Sequence, residues 1–245
     1  MQQMVQYMYG VQLYVLPGNQ LIINNMKKLL FLIAILVSGN GLLAQDVKFG
    51  IKTGLNFPSL QSKTAFSPAG DYKISAKFLL GVYSEIKMGK YTLQPGVMFS
   101  VKGNKAVQDS NTISYGSKVP YTIERNVNLS YLEVPVNLLY KQPVKIGTIY
   151  AGGGPYAALA LSGRMRSINK RSTYMKRSSV EDVEFGSDPD QIKRTDFGAN
   201  FLIGLKTKNG FDIGANYGLG LANISNNSSF KSSNRLIGLQ IGYLF

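Results

Sequence analysis

The chain has 245 residues, 26 glycines, 15 tyrosines, 12 phenylalanines, no cysteine, no histidine and a formal net charge of +14. Without thiols or imidazoles it has no disulfides, no thiolate metal site, no cysteine nucleophile and none of the commonest general base. Aromatic residues with abundant glycine favour strands and tight turns over helices, and the length suits one all-β unit plus a removable leader.

Residues 1–25 precede what reads as a second start, Met26-Lys27-Lys28, followed by the apolar run Leu29 to Val37. A basic start and a short apolar stretch are the anatomy of a secretory signal peptide, and the run falls well short of the ~20 residues that span a bilayer as a helix. Ser38-Gly39-Asn40-Gly41 breaks the helix and Ala44-Gln45 offers a cleavage point. Residues 26–44 are therefore read as a signal peptide, 1–25 as an unstructured, over-extended start, and 45–245 as the mature domain.

From Val47 the pattern has period two, which puts successive side chains on opposite faces of a strand. Val47, Phe49, Ile51, Leu55 and Phe57 share one face; Lys48, Gly50, Lys52, Gly54 and Asn56 share the other. Rougher segments follow at Lys77–Lys87, Tyr91–Lys102, Val127–Tyr140 and Ile146–Ser162. The last three are strict: Phe197, Ala199, Phe201, Ile203 and Leu205, with Leu202 out of place; then Phe211 to Leu221; then Ile237 to Phe245. Each alternates with Gly, Asn, Gln or a charge. The total is about eight strands, each near the ~9–11 tilted residues that cross a bilayer.

Period two does not say which face is wet. Gly, Asn and opposed charges make a poor soluble surface but suit a crowded barrel interior, so the apolar face is read as facing lipid. The connections alternate as in outer-membrane barrels: 58–76, 103–126, 163–194 and 222–234 are long and polar, while 88–90, 141–145 and 207–210 are short. The expected fold is a transmembrane, antiparallel, up-and-down β-barrel with both termini on the periplasmic side, located in the bacterial outer membrane.

Four pieces carry a family resemblance: Phe49-Gly50-Ile51-Lys52-Thr53-Gly54-Leu55-Asn56, Ser130-Tyr131-Leu132-Glu133-Val134-Pro135, Ala151-Gly152-Gly153-Gly154-Pro155-Tyr156 and Asp196-Phe197-Gly198. Together they resemble the PorT-like outer-membrane β-barrel proteins of Bacteroidetes over essentially the whole mature chain. The resemblance implies an envelope location, a link in one branch to gliding and protein secretion, and recognition of the terminal Phe245 by barrel-assembly machinery.

Several residues invite a functional reading. Lys48, Lys52, Glu85, Lys102, Tyr131, Glu133, Asn137, Asp196, Asn200, Asp212, Asn216 and Gln240 fall on the polar face, and enclosed charges must pair, so an interior salt-bridge network is expected. Lys77 and Lys206 share that face. Two neighbouring carboxylates also suggest acid–base catalysis, but no nucleophile stands beside a base, and the chain is read as no enzyme. Gly152-Gly153-Gly154 lacks the helix and lysine of a phosphate loop and reads as small residues leaving room for Tyr150 and Tyr156. Pro95, Pro135 and Pro155 fall inside strands, where a missing N–H breaks the ladder; clustered bulges near one rim are expected.

The third long loop gathers Arg164, Arg166, Lys170, Arg171, Lys176 and Arg177, suited to lipopolysaccharide phosphates, although Glu181, Asp182 and Glu184 follow and allow self-neutralisation. Export and the lack of interleaved stacking aromatics argue against nucleic acid. No cofactor motif is present. The leading expectation is a structural or interaction protein of the outer membrane, in contact with membrane lipid and with an envelope protein or glycan partner. The alternatives are a PorT-like secretion or transport accessory and a secreted soluble barrel holding a small hydrophobic ligand.

Overall fold

The computed structural model describes residues 47–63, 71–114, 117–170, 176–227 and 231–245. The expected signal peptide, the segment before it and Arg171 lie outside the described residues. Ten strands are present among those described: β1 (Val47–Lys63), β2 (Asp71–Lys73), β3 (Lys77–Met88), β4 (Tyr91–Ser114), β5 (Ser117–Val144), β6 (Gly147–Lys170), β7 (Lys176–Asp182), β8 (Thr195–Thr207), β9 (Phe211–Gly220) and β10 (Lys231–Leu244). Eight of them run antiparallel around the order β4-β3-β1-β10-β9-β8-β6-β5, and pairing of β5 with β4 closes the ring. Short β2 lies on β4 and β7 lies on β6. Closure leaves no free edge within the eight-stranded ring, while β2 and β7 each pair on one side among the described residues.

The two faces are sorted as the alternation requires. Phe49 is 65% exposed and Phe211 60%, whereas Lys52 is 3% and Asp212 2%. Phe201, Ile203, Ile213, Leu239 and Ile241 share the outward face with them. A soluble ligand-binding barrel needs the reverse arrangement, so that alternative falls. Aromatic rings gather where the short turns lie: Tyr91 meets Tyr140 edge-on at 5.8 Å, and Tyr243 meets both Phe211 and Phe245 at 5.2 Å. Such a ring marks a membrane–water boundary.

The strands outrun their expected bounds. Residues 103–126, expected as a loop, continue the β4–β5 hairpin, with pairs from Gly103↔Asn128 to Ser114↔Ser117. Likewise 163–194 holds the end of β6 and all of β7, paired from Arg164↔Asp182 to Lys170↔Lys176. These extensions are mostly polar, with Val107 buried and only the short alternation Val119, Tyr121, Ile123 on β5, so the period-two signal is weak there, yet the backbone ladder still forms. The remaining segment turns back: Ile192 bridges both Phe185 and Ser225, and Phe185, Ile192, Val183 and Ile224 pack onto Leu129, Tyr131 and Tyr156.

The prolines do not create bulges. Registers on either side of Pro95 and Pro135 agree, as Pro95↔Val136 with Met98↔Glu133 and Pro135↔Tyr156 with Leu138↔Gly153 show. The ladder skips partners there without slipping, because a lost N–H removes a bond but adds no residue. The register shift in β5–β6 sits instead at Ser130/Tyr131. A second irregularity is Gly103 at φ 139°, where a side chain would strike Val127 O.

Candidate functional site

The ring's interior holds two charged clusters. Near the short turns, Glu85 on β3 accepts from Lys206 and Lys141 and from Gln94 Nε2 at 3.2 Å. Tyr150 OH donates to Asp212 Oδ1 at 2.7 Å, and Lys206 lies 4.0 Å from Asp212 Oδ2. Among the described residues Lys52 has no ion pair, and it sits 4.8 Å over the Tyr83 ring, where its charge meets the π-face.

Toward the outer end, Lys102 on β4 lies 2.8 Å from Glu133 Oε2 and 3.3 Å from Asp196 Oδ2. Asn234 Nδ2 donates to Asp196 at 2.9 Å, and Asn200 Nδ2 to Glu133 Oε1 at 3.3 Å. The Tyr156 and Tyr131 rings face the same ammonium at 4.3 and 5.2 Å. Between the clusters lies a cavity of about 40 Å³ walled by Asn56, Asn137, Asn216, Gln240, Gln94 and Pro135. The upper cluster has one cation against two carboxylates, and the lower has Lys52, Lys141 and Lys206 against Glu85 and Asp212. The two excesses are opposite in sign and lie on either side of the amide-lined cavity.

Of the expected interior residues, Lys52, Glu85, Lys102, Tyr131, Glu133, Asn137, Asp196, Asn200, Asp212 and Gln240 are buried. Asn216 is half-buried on the cavity wall. Lys48 is a correction: it is exposed, because β1 begins at Val47 and its long side chain leaves the ring's open end for water. Lys141, Tyr83, Gln94 and Asn234 are further members of the network. Lys141 had been counted as turn, yet the spacing Tyr131, Glu133, Asn137 continued along β5 reaches it.

The glycines work differently from the expected arrangement. Tyr150 gains its space from Gly204 and Gly214 on β8 and β9, where a methyl group would collide with its hydroxyl, and Tyr156 gains its own from Gly198. Gly152 and Gly154 instead allow close approach to the Leu138 and Val136 carbonyls of β5.

The described basic residues expected in a loop stand on β6 and β7, the outer ribbon of a sheet extension that β5 and β4 continue. Every residue of β7 is exposed. Lys170 faces Lys176 directly, and Arg177 faces Asn169, while Glu181 and Asp182 lie at the barrel end opposite Met165 and Arg164. The partial neutralisation is local: Arg164 meets Asp182 at 3.7 Å in open water, and Lys170 contacts Glu124 of β5. Among the described residues Arg166, Lys176 and Arg177 have no ion pair, so the tip keeps its positive charge. Hydrogen bonding from Lys170 holds the Glu124 carboxyl below the usual carboxylate range. Among the described residues no group of His, Cys, Asp or Glu side chains is placed to hold a metal ion.

Comparison with known proteins bears on this arrangement. The family model described as outer membrane protein beta-barrel domain matches residues 43–226. No curated protein sequence matches the chain. Among solved structures it is similar to the attachment invasion locus protein Ail of Yersinia pestis, solved in complex with the heparin analogue sucrose octasulfate. There the identity is 13%, the cover 81% of this chain and 99% of that one, and the TM-score 0.34. It is also similar to Neisserial surface protein A, with 10% identity, cover of 82% and 100%, and a TM-score of 0.35.

Proposed function

This chain belongs to the outer membrane protein beta-barrel domain family, and on that premise we propose that it is a plugged, non-enzymatic anchor whose external ribbon engages an anionic glycan or protein partner. The observation that carries this reading is the segregation of charge along β6–β7, with Lys176 and Arg177 at the tip in no ion pair among the described residues, Lys170 held by Glu124, and Glu181 and Asp182 at the base. Like charges placed opposite each other cost stability, and Lys170 against Lys176 is a local expense that an anionic partner would relieve. The packed lumen leaves the strands as a scaffold for the ribbon. Export by residues 26–44 and assembly through Phe245 belong to the same reading.

The test uses the full chain in detergent with dextran sulfate and neutral dextran as probes. Sulfated polymer is expected to bind in a salt-sensitive way, and replacing Arg166, Lys176 and Arg177 by alanine to abolish it. Equal retention of the two polymers, or unchanged binding by that variant, would overturn the reading. A secretion or transport accessory is the second reading, supported by the resemblance centred on Tyr131-Leu132-Glu133-Val134-Pro135. A reproducible conductance in planar bilayers would favour it over a plugged anchor.

A further inference from the structure

Above the level where β3 begins, β4, β5 and β6 continue side by side, and a cleft of about 730 Å³ opens between the start of β3 and these extensions, a volume in the range of ligand sites. Its floor is a row of outward-facing side chains that register places side by side on neighbouring strands. Leu55 pairs with Phe78, and Val101 with Ser130, which pairs in turn with Ser162. Along this row the surface changes from aliphatic and aromatic to hydroxyl. The stretch Phe78–Met88 separates it from the lower aromatic ring, and at the usual tilt that stretch rises roughly 25 Å, the height of a barrel's apolar band. Phe78 therefore lies where acyl chains give way to headgroups.

Over this floor stand Lys77 and Arg164, the latter in an exposed 3.7 Å contact with Asp182, and the lining itself holds no carboxylate. Lys77 is 8% exposed. Its ammonium donates to Asn126 Oδ1 at 3.0 Å and to Asn128 Oδ1. An ammonium has three donors, and amide oxygens leave its charge uncompensated; among the described residues Lys77 has no ion pair. The neighbouring Lys105 already has Glu124 at 3.5 Å. A buried cation without a counter-ion is costly, and a phosphate oxygen would supply both the missing charge and an acceptor. An apolar floor at lipid height, a hydroxyl slope and a cationic wall together match one amphiphile and no soluble anion.

We propose that this cleft seats a phosphorylated glycolipid of the outer leaflet, with its phosphate at Lys77 and Arg164 and its first acyl segment along Leu55, Phe78 and Val101. The inference rests on the outer-membrane placement and is independent of the partner at the ribbon tip.

Full-length protein in detergent, titrated with bis-phosphorylated lipid A and followed by native mass spectrometry, should retain the lipid, while the dephosphorylated lipid should bind about tenfold more weakly, the size of one charge-assisted hydrogen bond. Ser162 is exposed, so Ser162→Asp should fold normally by heat-modifiable gel migration yet weaken binding about tenfold by bringing a negative charge into the cleft. Lys77→Gln should do the same. The tip variant lacking Arg166, Lys176 and Arg177 should keep the lipid. Equal affinity for the two lipids, competition by millimolar inorganic phosphate, or wild-type binding by folded Ser162→Asp would each overturn the proposal.

Discussion

The Lys102 ammonium lies 2.8 Å from Glu133 Oε2 with 1% of its side chain exposed, and it also reaches Asp196 on a third strand. One cation thus ties β4, β5 and β8 together across the lumen, in surroundings that give a lone charge little solvation.

Removing that cation is expected to leave two carboxylates facing each other. Lys102→Met should cost about 3–5 kcal/mol, the usual penalty for orphaning a buried ion. Pairing it with Glu133→Gln should return part of the loss. Urea titration of the protein refolded into vesicles, read by the folded and unfolded gel bands, measures both. A Lys102→Met loss below about 1 kcal/mol, the scale of an exposed pair, would show that the network does not hold the ring.

Strand approach gives a second expectation. At Gly154 a methyl group would overlap the Val136 carbonyl oxygen, whereas at Gly96 it would stand 3.0 Å from Val82 O. Gly154→Ala should therefore cost about 1–3 kcal/mol, as overpacking does, and Gly96→Ala distinctly less. Similar folding yields for the two would refute the close approach of β5 and β6.

The ribbon should respond to acid. Glu124 stands in the outer extension of β5, and its bond from Lys170 lowers its carboxyl from the ordinary value. A group depressed in the folded state lends stability that is present above its unfolded pKa and disappears as pH falls through the folded one. Carboxyl NMR should show Glu124 titrating below ordinary glutamates, and Lys170→Ala should move it back upward. Hydrogen exchange in the upper β5–β6 pairs should quicken over that acidic range. A Glu124 midpoint indifferent to Lys170 would remove the contact.

The C-terminal residue separates folding from assembly. Phe245 N donates to Phe49 O at 2.8 Å, and its ring packs on Tyr243. Deleting it should leave folding in detergent nearly intact, since the β1–β10 ladder runs from Gly50↔Leu244 to Lys63↔Lys231. In cells the deletion should lower the amount reaching the outer membrane. Undiminished surface protein would exclude an assembly role for Phe245.

Legibility followed the strength of the local signal. In β8 from Phe197 to Leu205, in β9, and in β10 from Ile237 onward every second residue is apolar, so the face reads residue by residue, and even the exception, Leu202, proves to be buried against Tyr150 and Leu139. In β4 and β5 beyond Gly103 polar residues dominate and the short alternation Val119, Tyr121, Ile123 is too weak to mark a strand, so the hairpin reads as a loop. Lys48 was misplaced for a related reason: alternation states a face but not how close the ring's end is. For Lys77 the alternation gives a face, yet its two asparagine partners lie 49 and 51 positions away in sequence.

Period-two hydrophobicity, with glycine and charge on the opposite face, by itself determined an all-β ring of about eight strands with its oily side outward, because each strand's alternation is set by the backbone and needs no partner. Only the tertiary structure decided which charges meet, that basic residues cluster at one tip, and that a lysine stands over the Leu55–Phe78 floor. Those depend on register between strands far apart in the chain, and register is fixed by closure of the whole ring rather than by any one segment.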